Sequence, residues 1–586
     1  MKTKLVNKDI RHDYTRELLL ERGVTEEQLD YFLKEPTEDA LQSPVYLENI
    51  FDGLELFKDM CQLTPNERVL IVVDSDVDGF TSGAIFYKYL KSHAPELQID
   101  YILHEGKGHG LSDTIDTILD DIDKNERKLR YVILPDSSSN DYDYHEQLAA
   151  LQIKCLILDH HIVEDDTQFS DSAVIINNQL SPNYINKDLC GAGVTWQFCR
   201  LCDMHFGTNY ADDLIDLAAL GIVSDMMSML SVENRYIVYW GLRQIKNYYF
   251  QALCEKQSFS MGGKVNPTTI AFYITPLINA LIRVGTMDEK RRCFEAFLDG
   301  HQMVPSQKRG AKGTYEEVAI ESARECTNAR AKQNRTLDKA VEELEIKIFK
   351  YDLLENKILF IRLEDEDFPS ELNGLTAMKL AAKYKKPTIV ARLNDEGYDR
   401  GSSRGLNESA LKSFKDFMNE SGFFEYTAGH DNACGISILD KNLHAFHDYA
   451  NEALKDIDFG ENWYEVNFER FAADIDLIAL IYDLAAHEDL FGQHNNEPLI
   501  HITDINLNKN EIAIIGKNAD TIRIEKFGVI YLAFHAKDMI EKLANEPSNT
   551  IKLEVVGRAN LNHYAGRTTP QIFIEDYQID DGTLGF

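Results

Sequence analysis

Three aspartates, Asp74, Asp76 and Asp78, occupy alternate positions in "VLIVVDSDVDGFTSG", directly after a run of aliphatic residues. Carboxylates this close repel one another unless some are protonated or a cation lies among them. A calcium-binding EF-hand loop is disfavoured because a buried strand is expected before the triplet and the twelfth loop position lacks glutamate. The triplet alone is a weak indication of a metal site.

A second polar group strengthens that interpretation. "LDHH" places Asp159, His160 and His161 directly after another apolar run. Carboxylate oxygens mixed with imidazole nitrogens suit Mn²⁺ or Mg²⁺ with some histidine ligation. Isolated histidines are usually structural, whereas adjacent histidines at a strand end facing other acids rarely are.

The elements that must position these groups are short parallel strands. "RVLIVVD", "YVILPD" and "CLILDHH" are continuous apolar runs separated by helix-length segments, and "AVIIN" follows after a short loop. This alternation predicts βαβ units and a parallel sheet. The first three runs end in Asp74, Asp136 and Asp159, and ligands bind beyond the carboxyl ends of such strands. The sequence therefore predicts one acidic crevice.

Composition limits the class of protein. The 586 residues are 44% hydrophobic and 27% charged, which predicts a globular chain of two to four domains. The N-terminus lacks the apolar core of a signal peptide and no segment approaches ~18 uninterrupted apolar residues, so we expect a cytoplasmic protein without a membrane span. The nine cysteines are expected to be reduced thiols. "CRLC", Cys199 to Cys202, has zinc-ligand spacing, but its helical periodicity favours two buried cysteines.

The net charge of −36 argues against general coating of nucleic acid, but not against a local basic channel. Basic residues do cluster in one stretch: Arg291, Arg292, Lys308, Arg309, Lys312, Arg324, Arg330, Lys332 and Arg335. By itself this stretch favours a solvated helix face.

Pattern changes along the chain predict an α/β protein of five segments. They are an N-terminal helical segment (1–60), a parallel-sheet domain (61–312), a long connecting helix (313–345), a second α/β domain (346–455) and a small C-terminal β-barrel (456–586). The barrel is expected from successive strand patterns such as "TIRIEKFGVIYLAF" and "QIFIEDYQI".

The ordered motifs carry a resemblance. "DSDVDGFTSGA", "VILPD", "LILDHH" and "LGIVSDM" resemble the four phosphoesterase motifs of the DHH superfamily, and most closely its RecJ-like branch of single-strand-specific 5′ to 3′ exonucleases. "GHGLSD", "CGAGVTW", "PLINALIR", "GSSRG" and "FGQHNNEP" follow the same order, so the similarity covers nearly the whole chain. The resemblance implies a DHH domain at 61–312, a DHH-associated domain at 346–455 and an OB-like domain at 456–586.

The resemblance also implies roles for individual residues. Two ions, Mn²⁺ or Mg²⁺, would be bridged by Asp136. One would be held by Asp74 and Asp76, and the other by Asp78, His160 and Asp225. His161 would face the scissile phosphate, and Asp159 would orient the imidazoles.

Substrate contacts are implied at five further positions. Arg283, Ser402 and Arg404 would lie along the strand path, and Gly429 and His430 would close the site from the second domain. For either arginine, an ordinary surface or interdomain salt bridge is the alternative.

The sequence departs from the family pattern where a terminal 5′-phosphate would bind. His104 stands where the family tends to carry arginine, and Lys107 could compensate for it. Three other motifs also depart from the family pattern. They are "DSSSND" after the second motif, "AGH" in place of a double glycine before His430, and "GSSRG", which ends in glycine where serine is usual. The strength of the end preference therefore stays open.

Three functions are compatible with these observations. The leading hypothesis is a metal-dependent exonuclease that degrades single-stranded DNA from the 5′ end to mononucleotides in recombination or repair, with a helicase or single-strand-binding protein as a partner. The second keeps the chemistry but uses short oligonucleotides or cyclic dinucleotides. The third is a non-catalytic scaffold, which is disfavoured because every ligand type is present.

Overall fold

The computed structural model describes the whole chain except residues 107, 165–166, 312, 365–367, 565 and 581–586. It divides into two units. The parallel-sheet unit comprises Arg22–Gln333 and His487–Asn496, and the β-rich unit comprises Met1–Glu21, Asn334–Ala486 and Glu497–Phe586. The predicted α/β class is confirmed.

The strands of the described chain are β1 (Lys2–Leu5), β2 (Glu67–Val73), β3 (Gln98–Leu103), β4 (Lys128–Pro135), β5 (Lys154–Asp159), β6 (Ala173–Asn177), β7 (Met303–Pro305), β8 (Tyr315–Glu317), β9 (Leu359–Arg362), β10 (Thr388–Leu393) and β11 (Tyr398–Arg404). They continue with β12 (Phe424–His430), β13 (Ala433–Leu439), β14 (Trp463–Val466), β15 (Phe468–Phe471), β16 (Leu499–Asn508), β17 (Ile512–Ile515), β18 (Thr521–Lys526), β19 (Val529–Ala533), β20 (Thr550–Tyr564) and β21 (Arg567–Asp580).

The α-helices are α1 (Tyr14–Glu21), α2 (Leu29–Leu33), α3 (Ile50–Met60), α4 (Val77–His93), α5 (Ile115–Lys124), α6 (Tyr142–Ala150), α7 (Gly191–Phe206), α8 (Ile215–Ser224), α9 (Val232–Arg243) and α10 (Tyr248–Gln257). They continue with α11 (Pro267–Thr269), α12 (Thr275–Val284), α13 (Met287–Leu298), α14 (Val318–Lys350), α15 (Asn373–Tyr384), α16 (Phe414–Ser421), α17 (Leu443–Ala453), α18 (Leu477–Ala486) and α19 (Lys537–Asn545).

The parallel-sheet unit is built on five strands in the order β3-β2-β4-β5-β6. All four pairings are parallel. Strand β3 was not singled out from the sequence, and it lies on the opposite side of β2 from β4. The strand order therefore reverses at β2, and such a switch point opens a crevice at the carboxyl ends of the neighbouring strands.

Buried aliphatic residues explain why this sheet lies inside the unit. Six of the seven residues of β2 are buried, and so are most residues of β4 and β5. Helices α4 and α7 cover one face and α8 packs against both of them, with Phe86, Phe198 and Leu220 in the same apolar core. Burial on both faces is typical of parallel strands and agrees with the uninterrupted apolar runs of the sequence.

The β-rich unit contains two larger sheets. One has the order β12-β13-β11-β10-β9, and the other has the order β15-β16-β20-β21-β19-β18-β17. The predicted N-terminal helical segment needs a correction here, because its first residues form β1, which pairs in parallel with β14. Lys2 lies opposite Trp463, so pairing with a strand distant in sequence decided this segment's structure.

The predicted connecting helix is α14, which runs past residue 345 to Lys350. Cys199 and Cys202 are buried within α7, as the periodicity of their surroundings predicted. Among the described residues, the helical segment Pro267–Val284, in which a π-helical turn at Ile270–Ile274 joins α11 to α12, is long and apolar enough to cross a membrane, with a mean hydropathy of 1.2. Half of this segment is buried inside the protein, as in core helices, so it is weak support for a span.

Candidate metal centre

The β2–α4 junction carries the three aspartates. Asp74 follows β2 directly, and Asp76 caps α4 by accepting a hydrogen bond of 2.9 Å from the backbone N–H of Gly79. A Cβ atom at Gly79 would lie 2.6 Å from the carbonyl oxygen of Asp74, so the turn tolerates only glycine there. The tight turn thus delivers both carboxylates to the edge of the sheet.

Asp78 is held by the start of another helix. Its two carboxylate oxygens accept hydrogen bonds from the backbone N–H groups of Gly191 (2.7 Å) and Ala192 (3.1 Å), at the N-terminus of α7. The partial positive charge of a helix N-terminus favours a carboxylate there. A Cβ atom at Gly221 would lie 2.4 Å from Asp78 Oδ1, so the close approach of α8 also needs glycine.

Asp136 follows β4 in a left-handed backbone conformation with φ of 69°. Such angles are uncommon for residues other than glycine and cluster at functional sites. Its side chain is 2% exposed, and a Cβ atom at Gly191 would lie 2.5 Å from Asp136 Oδ1. The backbone is therefore arranged to bring this carboxylate against the start of α7.

The end of β5 carries the two imidazoles. Asp159 is buried, and its Oδ1 atom lies 2.7 Å from Nδ1 of His161 and accepts a hydrogen bond from the backbone N–H of His160. Its Oδ2 atom accepts from the backbone N–H of Ser139 at 3.1 Å. Asp159 thus orients the histidine pair. Both of its carboxylate oxygens already have hydrogen-bonding partners within the protein.

The His160 side chain, at the end of β5, lies close to Asp136 and to Asp225 at the end of α8. Its Nε2 atom lies 3.2 Å from Asp136 Oδ1 and 3.4 Å from Asp225 Oδ2. Neither oxygen receives a hydrogen bond from the part of the chain that the structure describes. Burial lowers the pKa of His160, which favours the neutral imidazole. In the tautomer with its proton on Nδ1, the Nε2 lone pair would repel these two carboxylate oxygens unless a cation lay among the three atoms.

Ligand atoms from these residues converge in overlapping groups, each with all its atoms within 4.8 Å of one another. One group is Asp74, Asp76 and Asp136; the second is Asp78, His160 and Asp225; the third is Asp136, His160 and His161. The first two match the two ligand sets expected from the family resemblance, and the third brings Asp136 beside the histidine pair.

Burial and like charge disturb the titration of the acids. Burial, together with the charges of Asp74 and Asp78, raises the pKa of Asp76 to about 6. Burial and the charge of Asp78 raise the pKa of Asp225 to about 8 and that of Asp136 well above its ordinary value. Asp136 and Asp225 are fully deprotonated at neutral pH only if positive charge is added. The donor set therefore fits a pair of divalent cations.

His161 has the opposite tendency. Burial alone would lower its pKa, but the hydrogen bond and charge of Asp159 outweigh burial and raise that pKa to about 9. Its side chain is 42% exposed, so the ring lies at the solvent-accessible edge of the acid cluster. A positively charged imidazole at the opening is suited to contact an anionic group.

Sequence reasoning missed one contact of this cluster. His109 Nδ1 lies 2.9 Å from Asp74 Oδ2, and the ring of His109 packs edge-on against His161 with centroids 4.9 Å apart. The "GHG" motif was a signal, but the loop between β3 and α5 has no periodicity that would orient it. His104 is buried 3.8 Å from Asp74, and Lys107 lies outside the described residues.

The proposed substrate residues fall in both units. Arg283 lies in the last turn of α12 in the parallel-sheet unit. Ser402 and Arg404 lie on one face of β11, and Gly429 and His430 end β12, which is separated from β11 by β13. Arg404 and His430 are both aligned with Ala433 of the strand between them, so these two residues share one end of the sheet.

The guanidinium group of Arg404 packs beside the first turn of α15. A Cβ atom at Gly374 would lie 2.4 Å from Arg404 Nη2. A helix N-terminus beside a guanidinium group is suited to bind an anion such as phosphate. The substrate roles of these residues remain predictions.

The chain is similar to known proteins. The family model "DHH family, N-terminal domain" matches residues 68–222, and "RecJ OB domain" matches residues 473–576. The chain is 36% identical over 523 residues to YorK of Bacillus subtilis, a prophage-derived protein provisionally named a single-strand DNA-specific exonuclease, with 88% of each chain covered. It is 23% identical over 586 residues to the single-stranded-DNA-specific exonuclease RecJ of that organism, covering 97% of this chain and 68% of RecJ.

A solved structure shows the same fold. The crystal structure of RecJ from Thermus thermophilus in complex with Mn²⁺ superposes with a TM-score of 0.69 at 16% identity, covering 98% of this chain and 79% of the other. A second structure of that protein, in complex with Mg²⁺, gives a TM-score of 0.62.

Proposed function

The chain belongs to the RecJ-like family of DHH single-strand-specific exonucleases, and from that premise we propose that it hydrolyses single-stranded DNA from the 5′ end to mononucleotides, in DNA recombination or repair. The observation that carries the chemistry is the convergence of five aspartates and a histidine whose ligand atoms face one another. The polarity rests on the family resemblance.

Two ions, Mn²⁺ or Mg²⁺, are proposed as the cofactors. Asp74 and Asp76 would hold one, Asp78, His160 and Asp225 would hold the other, and Asp136 would bridge them. Two divalent ions held in this way supply an activated water and neutralise charge on the attacking and leaving oxygens.

The remaining residues of the centre orient and bind. Asp159 holds the His161 ring through a 2.7 Å contact, so the opposite side of the ring is available to a scissile phosphate. His161 is positively charged at neutral pH because this carboxylate raises its pKa. We propose that His161 contacts the scissile phosphate, and that Asp159 is a positioning residue.

The second group of polar residues is proposed to grip the strand. Arg404 and Ser402 would bind a backbone phosphate beside the first turn of α15, and Gly429 and His430 would lie next to it on β12. Arg283 would contact the strand from the parallel-sheet unit. Single-stranded DNA is therefore the proposed substrate, with a helicase or single-strand-binding protein as the proposed partner.

A cytoplasmic location is proposed as well. All nine cysteines are free thiols, and seven of them are buried. Reduced cysteines are the rule in the cytosol, where thiols are kept reduced.

The experiment that tests the chemistry uses one DNA strand labelled at either end, with Mn²⁺, Mg²⁺ or a chelator. We expect labelled mononucleotide to appear first from the 5′-labelled strand, no hydrolysis with chelator, and no hydrolysis by Asp136→Ala. First release from the 3′-labelled strand would refute the direction. Mn²⁺-dependent hydrolysis by Asp136→Ala would refute the metal centre. Faster turnover of a dinucleotide than of the strand would favour a small substrate.

A matched pair of variants tests the strand contact. Arg400 and Arg404 both lie on β11, but Arg400 is exposed and pairs with Glu396 at 3.6 Å. We expect Arg404→Ala to raise KM about tenfold, the value of a hydrogen bond to a charged group, with kcat little changed. Arg400→Ala is the control. Equal KM values for the two variants would contradict the proposed role of Arg404.

A further inference from the structure

One segment of the C-terminal half belongs to the parallel-sheet unit. His487–Asn496, here called the strap, connects α18 to β16, and both of these elements belong to the β-rich unit. The strap is not a loose connection, since Leu490 and Phe491 are 0% and 2% exposed. Ten residues are therefore packed into the unit that carries the metal centre.

The strap is bound to α9 by a partly buried ion pair. Arg235 Nη2 lies 3.2 Å from Asp489 Oδ2, and Arg235 Nη1 donates a hydrogen bond of 3.0 Å to the backbone carbonyl of Asp489. Arg243 lies 3.3 Å from the same carboxylate. The side chain of Arg235 is 3% exposed, and a buried charge of this kind is costly to leave without its partner.

A tight turn then brings the strap against the loop that follows Asp225. The backbone N–H of Gly492 donates to the carbonyl of Asn495 at 3.0 Å, and the carbonyl of Gln493 accepts a hydrogen bond of 2.9 Å from the backbone N–H of Met229. A Cβ atom at Gly492 would lie 2.8 Å from Met229 Cγ. The strap therefore touches both the backbone and the side chain of Met229.

The loop between α8 and α9 is where the proposed ligand Asp225 lies. Asp225 ends α8, and the next residue, Met226, has a left-handed backbone with φ of 57°. Met229 is four residues beyond Asp225 and is 2% exposed. The left-handed turn at Met226 thus lies between Asp225 and the strap contact at Met229.

We propose that the strap is a positioning element for Asp225: Gly492 and Gln493 fix the loop after α8, and the Arg235–Asp489 pair fixes the strap. The inference rests on the proposed function, since Asp225 is a ligand only in that proposal. Residues that orient metal ligands typically change metal affinity by about 10- to 100-fold when altered.

The test is titration of the metal-free full-length chain with Mn²⁺, followed by electron paramagnetic resonance. We expect wild type to bind two ions, and Gly492→Ala and Asp489→Asn each to weaken one ion about tenfold while the other keeps its affinity. Activity of both variants should recover at high Mn²⁺ concentration, with kcat close to wild type.

Glu488→Gln is the matched control. It removes a half-exposed pair with Lys264 on the same strap, but it touches neither Arg235 nor Met229. We expect its Mn²⁺ affinities to equal those of wild type. Thermal unfolding of the same variants separates positioning of Asp225 from general destabilisation of the fold. If the strap only stabilised the fold, the variants would have a lower melting temperature but unchanged affinity at both Mn²⁺ sites.

Two outcomes are distinguishable from one another. Two wild-type Mn²⁺ sites that stay unchanged in Gly492→Ala and Asp489→Asn would overturn the role of the strap and leave the proposed function intact. A wild-type chain that binds no Mn²⁺ would overturn the proposed metal centre, and the strap inference with it.

Discussion

Two acidic clusters of the parallel-sheet unit both contain buried carboxylates but are neutralised in different ways. In the first, Glu316, Glu321 and Glu325 face arginines: Arg324 pairs with Glu316 and Glu321, and Arg292 Nη2 lies 2.6 Å from Glu325 Oε1. In the second, the metal centre, the ion-pair partners of the carboxylates within the described residues are imidazoles.

The kind of partner that a buried carboxylate has distinguishes structural acids from functional ones. Arg324 and Arg292 belong to the basic stretch for which the sequence favoured a solvated helix face, but their side chains are only 19% and 21% exposed and pair with glutamates of their own unit. Asp136 and Asp225 instead have carboxylate oxygens without a hydrogen bond in the described part of the chain. Burial without a cationic side chain is thus the feature that points to an external cation.

Loss of hydrolysis in variants of the two clusters tests whether the clusters differ in chemistry, and this is the largest change that we expect. Asp136→Asn should lower Mn²⁺-dependent hydrolysis about a thousandfold or more, since a ligand shared by both proposed ions is lost, at a cost of about 4 kcal/mol in the transition state. Asparagine tolerates the left-handed backbone at this position. Glu325→Gln should change hydrolysis less than about twofold. Initial rates on single-stranded DNA measure both variants. A large loss of hydrolysis in Glu325→Gln would contradict the distinction between the two clusters.

Stability should change in opposite directions in the two clusters. Glu325→Gln leaves the mostly buried Arg292 without its carboxylate, so we expect a loss of about 1 to 2 kcal/mol in the free energy of unfolding. Asp136→Asn removes one of several repelling carboxylates, so the metal-free chain should melt at a higher temperature than wild type. Thermal unfolding in chelator measures both, and a lower melting temperature for metal-free Asp136→Asn would contradict the repulsion.

A substitution at His109 tests whether a histidine at the edge of the metal centre affects Mn²⁺ affinity. Its hydrogen-bonding contact with Asp74 positions a ligand, so His109→Ala should weaken Mn²⁺ binding about tenfold. His301 is the matched control, because its Nδ1 atom lies 2.9 Å from Glu317 at an exposed position. His301→Ala should bind Mn²⁺ as wild type does. Calorimetric titration decides between them.

The smallest expected effect is a pH dependence. The pKa of Asp225 is raised to about 8 and that of Asp136 is raised well above the ordinary value, so in the metal-free chain these groups bind protons more readily when folded. Their contribution to stability is complete below about pH 4 and is lost as the pH rises through about 8. Between about pH 5.5 and 8.5 the melting temperature in chelator should fall a few degrees more for wild type than for Asp136→Asn. Saturating Mn²⁺ should remove this difference.

Much of the fold was predictable because it depends on local pattern. Continuous apolar runs predicted β2, β4, β5 and β6 with nearly their observed bounds, since a strand buried on both faces leaves no polar alternation. Strand β3 and the pairing of β1 with β14 were missed. The first, QIDYIL, has only a short apolar run, because Asp100 interrupts it, and most of its residues are half-buried. The second joins residues distant in the chain, such as Lys2 and Trp463, which no local signal can indicate.

The candidate site divides in the same way. Asp74, Asp136 and Asp159 lie at the carboxyl ends of strands of one parallel sheet, so chain direction alone requires that they reach the same edge, and this was predictable from the sequence. Only the tertiary structure decided that His109 reaches Asp74, that Asp78 receives the N–H groups of α7, and that the strap lies against Met229. The physical reason is that strand direction is a local property, whereas these contacts depend on how distant helices and loops pack.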